Sequence, residues 1–281
     1  MKSKLVSIVI PVYNEEEFLD ECLRAISLQT VFPLEVLVID NNSTDRSIEI
    51  VKSYPFVRLI RESNQGVVYA RNRGFDEAQG TIIARIDADT RIDERWIENL
   101  ERIFLNKNIS AVTGSVYYYD IFSKYLSYKF DLFFRKDLVR RLDKNCFLLG
   151  ANMAITKKAW LKIKDQTCIK SNIHEDLDLA IHLNKANLAV RFDKALRVGL
   201  SSRRYDSGYR SFVKYMFITP LTYRAHRDKN EYKFYSTVGV LILSYWIILF
   251  SHLIYDSKNS KISLKNIFHN QNTKRSDPYK L

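Results

Sequence analysis

The chain has 281 residues, 46% of them apolar and 27% charged, a globular balance that excludes disordered, collagen-like and low-complexity classes and is enough for one large domain or two small ones. Its three cysteines, Cys22, Cys146 and Cys168, lie far apart with no CxxC pair, which gives neither a zinc-site spacing nor a disulfide framework and points to a reducing, cytosolic compartment. The net charge of +12 favours an anionic partner: nucleic acid, an acidic membrane surface or a phosphorylated substrate.

Lys2 and Lys4 precede an apolar run, Leu5 to Val12, that is too short to span a membrane. It runs on into Glu15, Glu16 and Glu17, not a small-residue cleavage site, so it reads as a buried strand. Short β-rich runs then alternate with stretches of helical spacing. Strands are expected at Val6–Ile10, Glu35–Ile39, Val57–Ile60 and Thr81–Ile86, with helices at Glu16–Leu28, Thr44–Lys52 and Gly66–Ala78 between them. A helix from about Glu94 to Leu105 and a strand through Ala111–Val116 follow. The pattern predicts an α/β fold with a mostly parallel central sheet. Nearly every polar cluster falls at the C-terminal end of a strand, the edge where open α/β sheets bind ligands.

The stretch from Tyr117 to Lys144 mixes Tyr125, Tyr128, Phe130, Phe133 and Phe134 with Lys129, Arg135, Lys136, Arg140 and Arg141. It reads equally as an amphipathic helix resting on lipid or as one packed on its own core with a basic outer face. Residues 201–227 hold six Arg and Lys against one Asp, and Phe234–Tyr255 is a run of 22 residues without a charge. That length meets the requirement for a membrane-spanning helix, while its Ser, Thr and Gly residues leave a buried or interfacial helix open.

Four segments can carry chemistry. Ser7–Glu15 leads a strand into a turn with an aromatic ring and a carboxylate. Val38–Asp45 ends a second strand with Asp40, placed to accept hydrogen bonds from a base or ribose, and with Ser43 or Thr44 as a helix cap. Ile86–Thr90 contains a D-x-D pair, Asp87 and Asp89, whose hard oxygens suit Mg²⁺ or Mn²⁺ next to a diphosphate. His174–Leu179 gathers ionisable groups at a helix start, where the macrodipole favours acids and where a base can also be stationed.

In order, SIVIPVYNEEEFLDECLRAI, LEVLVIDNNSTDRS, NQGVVYARNRGFDEAQGTIIARIDADT, GANMAI and HEDLDL resemble the inverting glycosyltransferases of family two, which have the GT-A fold. The resemblance covers residues 5 to 205, roughly 70% of the chain. It implies a Rossmann-like GT-A domain over 1–205, with a nucleotide-binding half at about 1–116 and an acceptor half at about 117–205. Beyond it lie a basic juxtamembrane segment at 206–233, a candidate membrane helix at 234–255 and a basic tail at 256–281. It further implies a UDP-, GDP- or dTDP-sugar donor, a divalent cation and a single inverting displacement. Matched to the motifs, Pro11, Tyr13 and Glu15 edge the nucleoside pocket, Asp40 recognises the base, and Asn64, Gly66 and Arg71 lie along the nucleotide. Asp89 is the direct metal ligand, with Asp87 at the ribose or reaching the cation through water. Gly150 and Asn152 underlie donor sugar and acceptor, with Glu175 beside them, and Asp176 is the catalytic base. Arg203 or Arg204 can clamp a pyrophosphate or meet anionic lipid.

The Gln-x-x-Arg-Trp signature of processive synthases is missing, which argues against polymer secretion. The favoured function is transfer of one sugar to a hydroxyl of a glycan or lipid-linked acceptor at the cytoplasmic face of a membrane. Transfer to polyprenyl phosphate and a non-catalytic nucleotide-sugar scaffold remain as alternatives. A nucleic-acid partner is not expected, because the acidic residues cluster where a phosphate backbone would be repelled.

Overall fold

The computed structural model describes residues 5–139, 147–169, 172–227, 231–256 and 261–262. Lys2, Lys4, Arg140, Arg141, Lys144, Cys146 and most of the tail at 256–281 lie outside these. Strands β1 (Val6–Val12), β2 (Glu35–Asp40), β3 (Val57–Arg61) and β4 (Ile82–Arg85) alternate with helices α1 (Leu19–Ser27), α2 (Ser47–Lys52) and α3 (Val67–Glu77). Then come β5 (Arg91–Ile92), α4 (Trp96–Phe104), β6 (Ile109–Tyr118), α5 (Lys124–Asp131) with its π-helical continuation Leu132–Val139, β7 (Met153–Thr156), α6 (Lys157–Ile163), α7 (Glu175–Lys185) and β8 (Ala189–Leu200). Two long helices, α8 (Tyr209–Ala225) and α9 (Glu231–Leu253), follow.

Eight strands form one sheet in the order β3-β2-β1-β4-β7-β6-β8-β5. Pairings from β3 through β4 are parallel, as the alternating pattern predicts. From β4 onward β7 pairs antiparallel with both neighbours, β8 runs parallel to β6, and β5 caps the edge antiparallel, so the sheet as a whole is mixed. Alternation of side chains divides the core into two layers. Val6, Ile8, Ile10, Val36 and Val38 pack with Leu23 of α1 and Trp96 of α4, while Val9, Leu37 and Ile39 face Phe75 of α3 and Trp160 of α6. Each fully buried apolar side chain of this size contributes roughly 1.5–3 kcal/mol.

The expected helix cap at Ser43 or Thr44 is not made. Helix α2 starts later, at Ser47, whose N–H is accepted by Asp45 Oδ1 (3.0 Å), while Ser43 Oγ accepts the N–H of Asn14 (3.1 Å). Asp45 Oδ2 and Ser47 Oγ also hold the N–H groups of Glu16 and Glu15. These side chains therefore stitch the turn after β1 to the turn after β2, just ahead of α1.

Helix α9 lies along the body that holds the sheet. Phe234 stacks on Tyr223 (4.0 Å between ring centres), Tyr245 donates to the carbonyl of Tyr205 (2.9 Å), and His252 Nδ1 sits 2.9 Å from Ser202 Oγ. Both ends of a helix about 34 Å long thus touch the same domain. Leu243, Trp246, Ile247 and Phe250 stand on its exposed side.

Candidate active site

The ends of β1 and β4 and the start of α7 enclose a polar cleft of about 130 Å³. Pro11, Tyr13, Glu15, Gly66, Asp87, Gly150, Glu175, Asp176 and Arg204 all line it. Gly66 has φ +137°, a backbone state that side chains rarely adopt. Its N–H donates to Asn41 Oδ1 at 2.7 Å, which aims the start of α3 at the cleft.

The cleft's charges are paired across long stretches of sequence. Arg85, at the end of β4, is 2% exposed and donates to Glu175 Oε1 (2.6 Å) and Asp87 Oδ1 (3.1 Å). Burial pushes the Glu175 carboxyl up, but Arg85 and Arg71 outweigh it and hold it down at about 2. A Cβ on Gly150 would fall 2.4 Å from Arg85 Nη1, so only glycine lets the guanidinium pass. The N–H of Gly150 donates to Asp176 Oδ2 (2.8 Å), and Leu177 N–H to Oδ1 (2.8 Å). Burial, and then the neighbouring Glu175 charge, raise the Asp176 carboxyl above its ordinary range. Two adjacent carboxylates are thus driven apart, one held ionised and the other made a stronger base.

Asp89 and Glu15 form a second group. Arg203 donates Nε to Asp89 Oδ2 (2.8 Å) and Nη2 to Glu15 Oε1 (2.9 Å), with its plane 4.3 Å over Phe18. Arg204 turns the other way, 4.0 Å over the Tyr215 ring. The adjacent arginines therefore point apart: Arg203 fixes carboxylates and Arg204 lines the cleft.

A second, larger cavity of about 300 Å³ opens from the same point. Its polar end is Asp87, Asp89, Asp176 and Arg204, and its body is apolar, built from Phe134, Phe147, Phe212, Met216, Tyr223 and Val238 among others. Asp176 and His174 line both spaces. Burial lowers the pKa of His174, keeping the ring neutral.

Six expected site residues do not line the cleft: Asp89 lines only the larger cavity, Arg203 lines neither space, and four others make contacts elsewhere. Asn152 is fully buried and spends its side chain on Trp96 Nε1 (3.1 Å), Ser115 O (3.0 Å) and Leu196 O (2.9 Å), joining β6, β8 and α4. Arg71 is also fully buried and donates to the carbonyl of Glu175 (2.5 Å), which fixes the start of α7. Asn64 is exposed and uses its backbone carbonyl to hold Asn41 Nδ2 (2.7 Å). Asp40 is buried and accepts the N–H of Ser43 (3.1 Å), closing the turn after β2. In their place come Arg85 and Asn41. Asn41 bonds Glu62 O, Asn64 O and Gly66 N at once. An Arg inside an apolar strand, one residue from the D-x-D turn, was the available signal for Arg85.

The family model for Glycosyl transferase family 2 matches residues 7–163, more than half of the chain. Glycosyltransferase GlyG of Streptococcus pneumoniae is 35% identical over 123 residues, 42% of this chain and 41% of that protein. The chain spans about two fifths or less of the first curated relatives it matches. Two solved structures share the fold. The mannosyltransferase PcManGT of Pyrobaculum calidifontis, in complex with GDP-Man and Mn²⁺, is 17% identical with a TM-score of 0.61, covering 98% of this chain and 76% of that one. S. aureus TarS in complex with UDP is 14% identical with a TM-score of 0.51, over 78% of this chain and 65% of that one. With the GT-A-like mixed sheet and the strand-end cleft already in place, these matches settle the family: the chain belongs to glycosyl transferase family 2.

Proposed function

We propose that the chain is an inverting glycosyltransferase that moves one sugar from a nucleotide-sugar donor to a hydroxyl of a lipid-linked acceptor. The observation that carries this reading is the position of Asp176, at the junction of the polar cleft and the apolar cavity. The donor's nucleotide occupies the cleft. The acceptor's apolar part occupies the cavity, so its hydroxyl arrives beside Asp176. That oxygen attacks the anomeric carbon, the bond to the diphosphate breaks, and Asp176 takes the hydroxyl proton. A base with a raised pKa is suited to a hydroxyl and superfluous for an already ionised phosphate acceptor, which favours the hydroxyl over polyprenyl phosphate.

Asp87 and Asp89 offer hard oxygens only, a donor set that fits Mg²⁺ or Mn²⁺ and leaves other positions to water and phosphate. These two carboxylates would hold the ion, which when bound neutralises charge on the departing diphosphate. Arg203 keeps Asp89 and Glu15 in place, and Arg204 offers fixed donors to the phosphates.

Membrane contact follows from the exposed apolar side chains. The most apolar 18-residue stretch of Glu231–Leu253 has a mean hydropathy of 1.8, enough in length and composition to cross a bilayer, yet only 28% of that stretch is buried inside the protein. Because both ends of α9 rest on the catalytic domain, an in-plane seating on the membrane surface fits better than a span. Phe122, Tyr125 and Leu126, exposed at the start of α5, extend this apolar surface, with Phe122 N–H bonded to Ser251 Oγ of α9 (3.2 Å). The site then works at the cytoplasmic face, where an isoprenoid or glycolipid acceptor can enter the cavity from the bilayer.

Calorimetric titration of the protein with UDP, GDP and dTDP, each with Mn²⁺ and with excess chelator, tests the donor side. Metal-dependent binding of one nucleotide is expected. Folded protein that binds none of the three would overturn the nucleotide-sugar reading, catalytic or not.

A further inference from the structure

We infer that Cys168, Asp178, His182 and His226 form a structural zinc site that clamps α7 to the end of α8. One ligand atom from each of the four lies within 4.8 Å of the others. Asp178 and His182 are one turn apart on α7 and share a face. His226 follows the last residue of α8, and Cys168 comes from the segment before α7. Asp178 is two positions beyond Asp176, about 200° around the helix. The cluster therefore lies on the side of α7 away from the cleft and is separate from the D-x-D carboxylates.

The distances suit a tetrahedral ion. With bonds of about 2.1 Å to nitrogen and oxygen and about 2.3 Å to sulfur, the ligand-to-ligand edges of such a site are about 3.4–3.6 Å. His182 Nε2 stands 3.4 Å from Asp178 Oδ1. His226 Nε2 is 2.7 Å from the same oxygen and 4.0 Å from Cys168 Sγ. Zinc would open the first of these by about 0.7 Å and close the second by about 0.4 Å.

A second observation points to a ligand. His182 has a side chain only 10% exposed; its Nδ1 makes no hydrogen bond, and its Nε2 has only the long 3.4 Å approach to Asp178 Oδ1. Buried polar nitrogens are almost always well paired, and an ion at Nε2 would replace that weak contact with a full bond.

Charge and softness select the ion. The Asp178 side chain is fully buried, and a divalent cation facing one carboxylate and one thiolate leaves the buried cluster neutral. Two imidazoles and a thiolate favour zinc over the magnesium or manganese suited to Asp87 and Asp89. Lys185 Nζ lies 3.4 Å from His226 Nδ1. Zinc on Nε2 requires the proton on Nδ1, so Lys185 must swing away on binding, and this cation works against the metal.

The test uses the full chain, stripped with chelator and then titrated with zinc chloride by calorimetry, with cobalt(II) as a spectroscopic probe. One equivalent of zinc should bind and raise Tm, and cobalt should show a thiolate charge-transfer band that Cys168→Ser abolishes. His182→Gln should weaken zinc by about 10- to 100-fold or more. Lys185→Gln, whose amide oxygen can accept from Nδ1–H, should tighten it. Circular dichroism checks that each variant folds. Folded protein that takes up no stoichiometric zinc would overturn the site, as would zinc affinity unchanged in Cys168→Ser and His182→Gln. None of these readouts depends on sugar transfer, so the outcome is independent of the proposed activity.

Discussion

The two cavities that meet at Asp176 are built in opposite ways. The polar cleft draws its residues from short contiguous segments at strand ends, such as Pro11–Glu15, Asp87–Ala88 and His174–Asp176, and balances Glu175 and Glu15 in buried pairs with Arg85 and Arg203. The apolar cavity takes scattered residues from α5, the 147–151 segment, α8 and α9, and among the described residues its apolar body holds no buried ion pair apart from Arg135 with Asp131. A strand end fixes the direction of several successive residues at once, so evolution can write a site there as a motif. A cavity between helices needs only the right size and polarity at each position, so it leaves no word in the sequence.

The sharpest separation of the two is Asp176→Asn. Loss of the base should lower kcat by about 10²–10⁴-fold, while calorimetric affinity for the nucleotide stays essentially unchanged. Equal loss of donor binding would move Asp176 into the nucleotide site. In the unmutated protein kcat/KM should fall on acidification with an apparent pKa above the ~3.9 of an unperturbed aspartate, because the raised carboxyl is protonated earlier. Glu175 has the opposite sign. Its folded pKa of about 2 lies below the unfolded value, so its contribution to stability is present above the unfolded value, about 4.3, and is lost as pH falls through about 2.

Arg85→Met breaks the pairing that characterises the cleft. It strands the Glu175 carboxylate at 6% exposure, and removal of one member of a buried pair costs about 3–5 kcal/mol. Urea unfolding should register this, and Arg85→Met with Glu175→Leu together should recover most of it. A single variant as stable as the parent would mean that water reaches Glu175 and the pair is not a structural element.

Which parts of the molecule could be read beforehand follows the same division. The N-terminal strands and helices were legible because β1 and β2 are short, nearly continuous runs of Val, Ile and Leu bounded by turn residues, while α1 and α4 carry apolar residues at helical spacing. Asp87, Glu175 and Asp176 were legible because each sits in a strand-to-turn or turn-to-helix segment. Asn152 stands in the turn before β7 and Arg71 inside α3, and their side chains turn inward to hold β6, β8 and the start of α7. Orientation is set by the tertiary partner, and a motif does not encode it. The antiparallel β7 was not expected either, since its four residues carry no signal of direction. The tetrad around His182 was invisible for the same reason as the cavity: its members come from three separate segments, and the cysteine spacing gave no hint of it.

On the acceptor side the effect should be moderate. Val238 is buried on α9 and lines the apolar cavity. Val238→Trp should fill part of it and raise the acceptor KM by about tenfold, or ~1.4 kcal/mol, with donor affinity unchanged. Steady-state kinetics with a short-chain and a long-chain lipid acceptor would show whether the penalty grows with chain length. A variant with unaltered acceptor kinetics would place the acceptor elsewhere and leave the cavity a packing defect.

The smallest change belongs to the opposite side of the same helix. Leu243 and Ile247 are 76% and 69% exposed, one turn apart, and face away from the Val238 and Tyr245 stripe that packs on the domain. Replacing both with Ser should leave unfolding stability within about 0.5 kcal/mol, as surface substitutions do. Flotation with anionic vesicles should nevertheless show weaker membrane association, because an in-plane helix binds through its buried apolar area and its basic surroundings. A spanning helix predicts something else: two serines in the middle of a bilayer would impair insertion itself, and protein would shift wholesale to the soluble fraction. Graded loss in flotation, with folded protein in both fractions, separates the in-plane seating from the span and ties the apolar cavity to the lipid surface beside it.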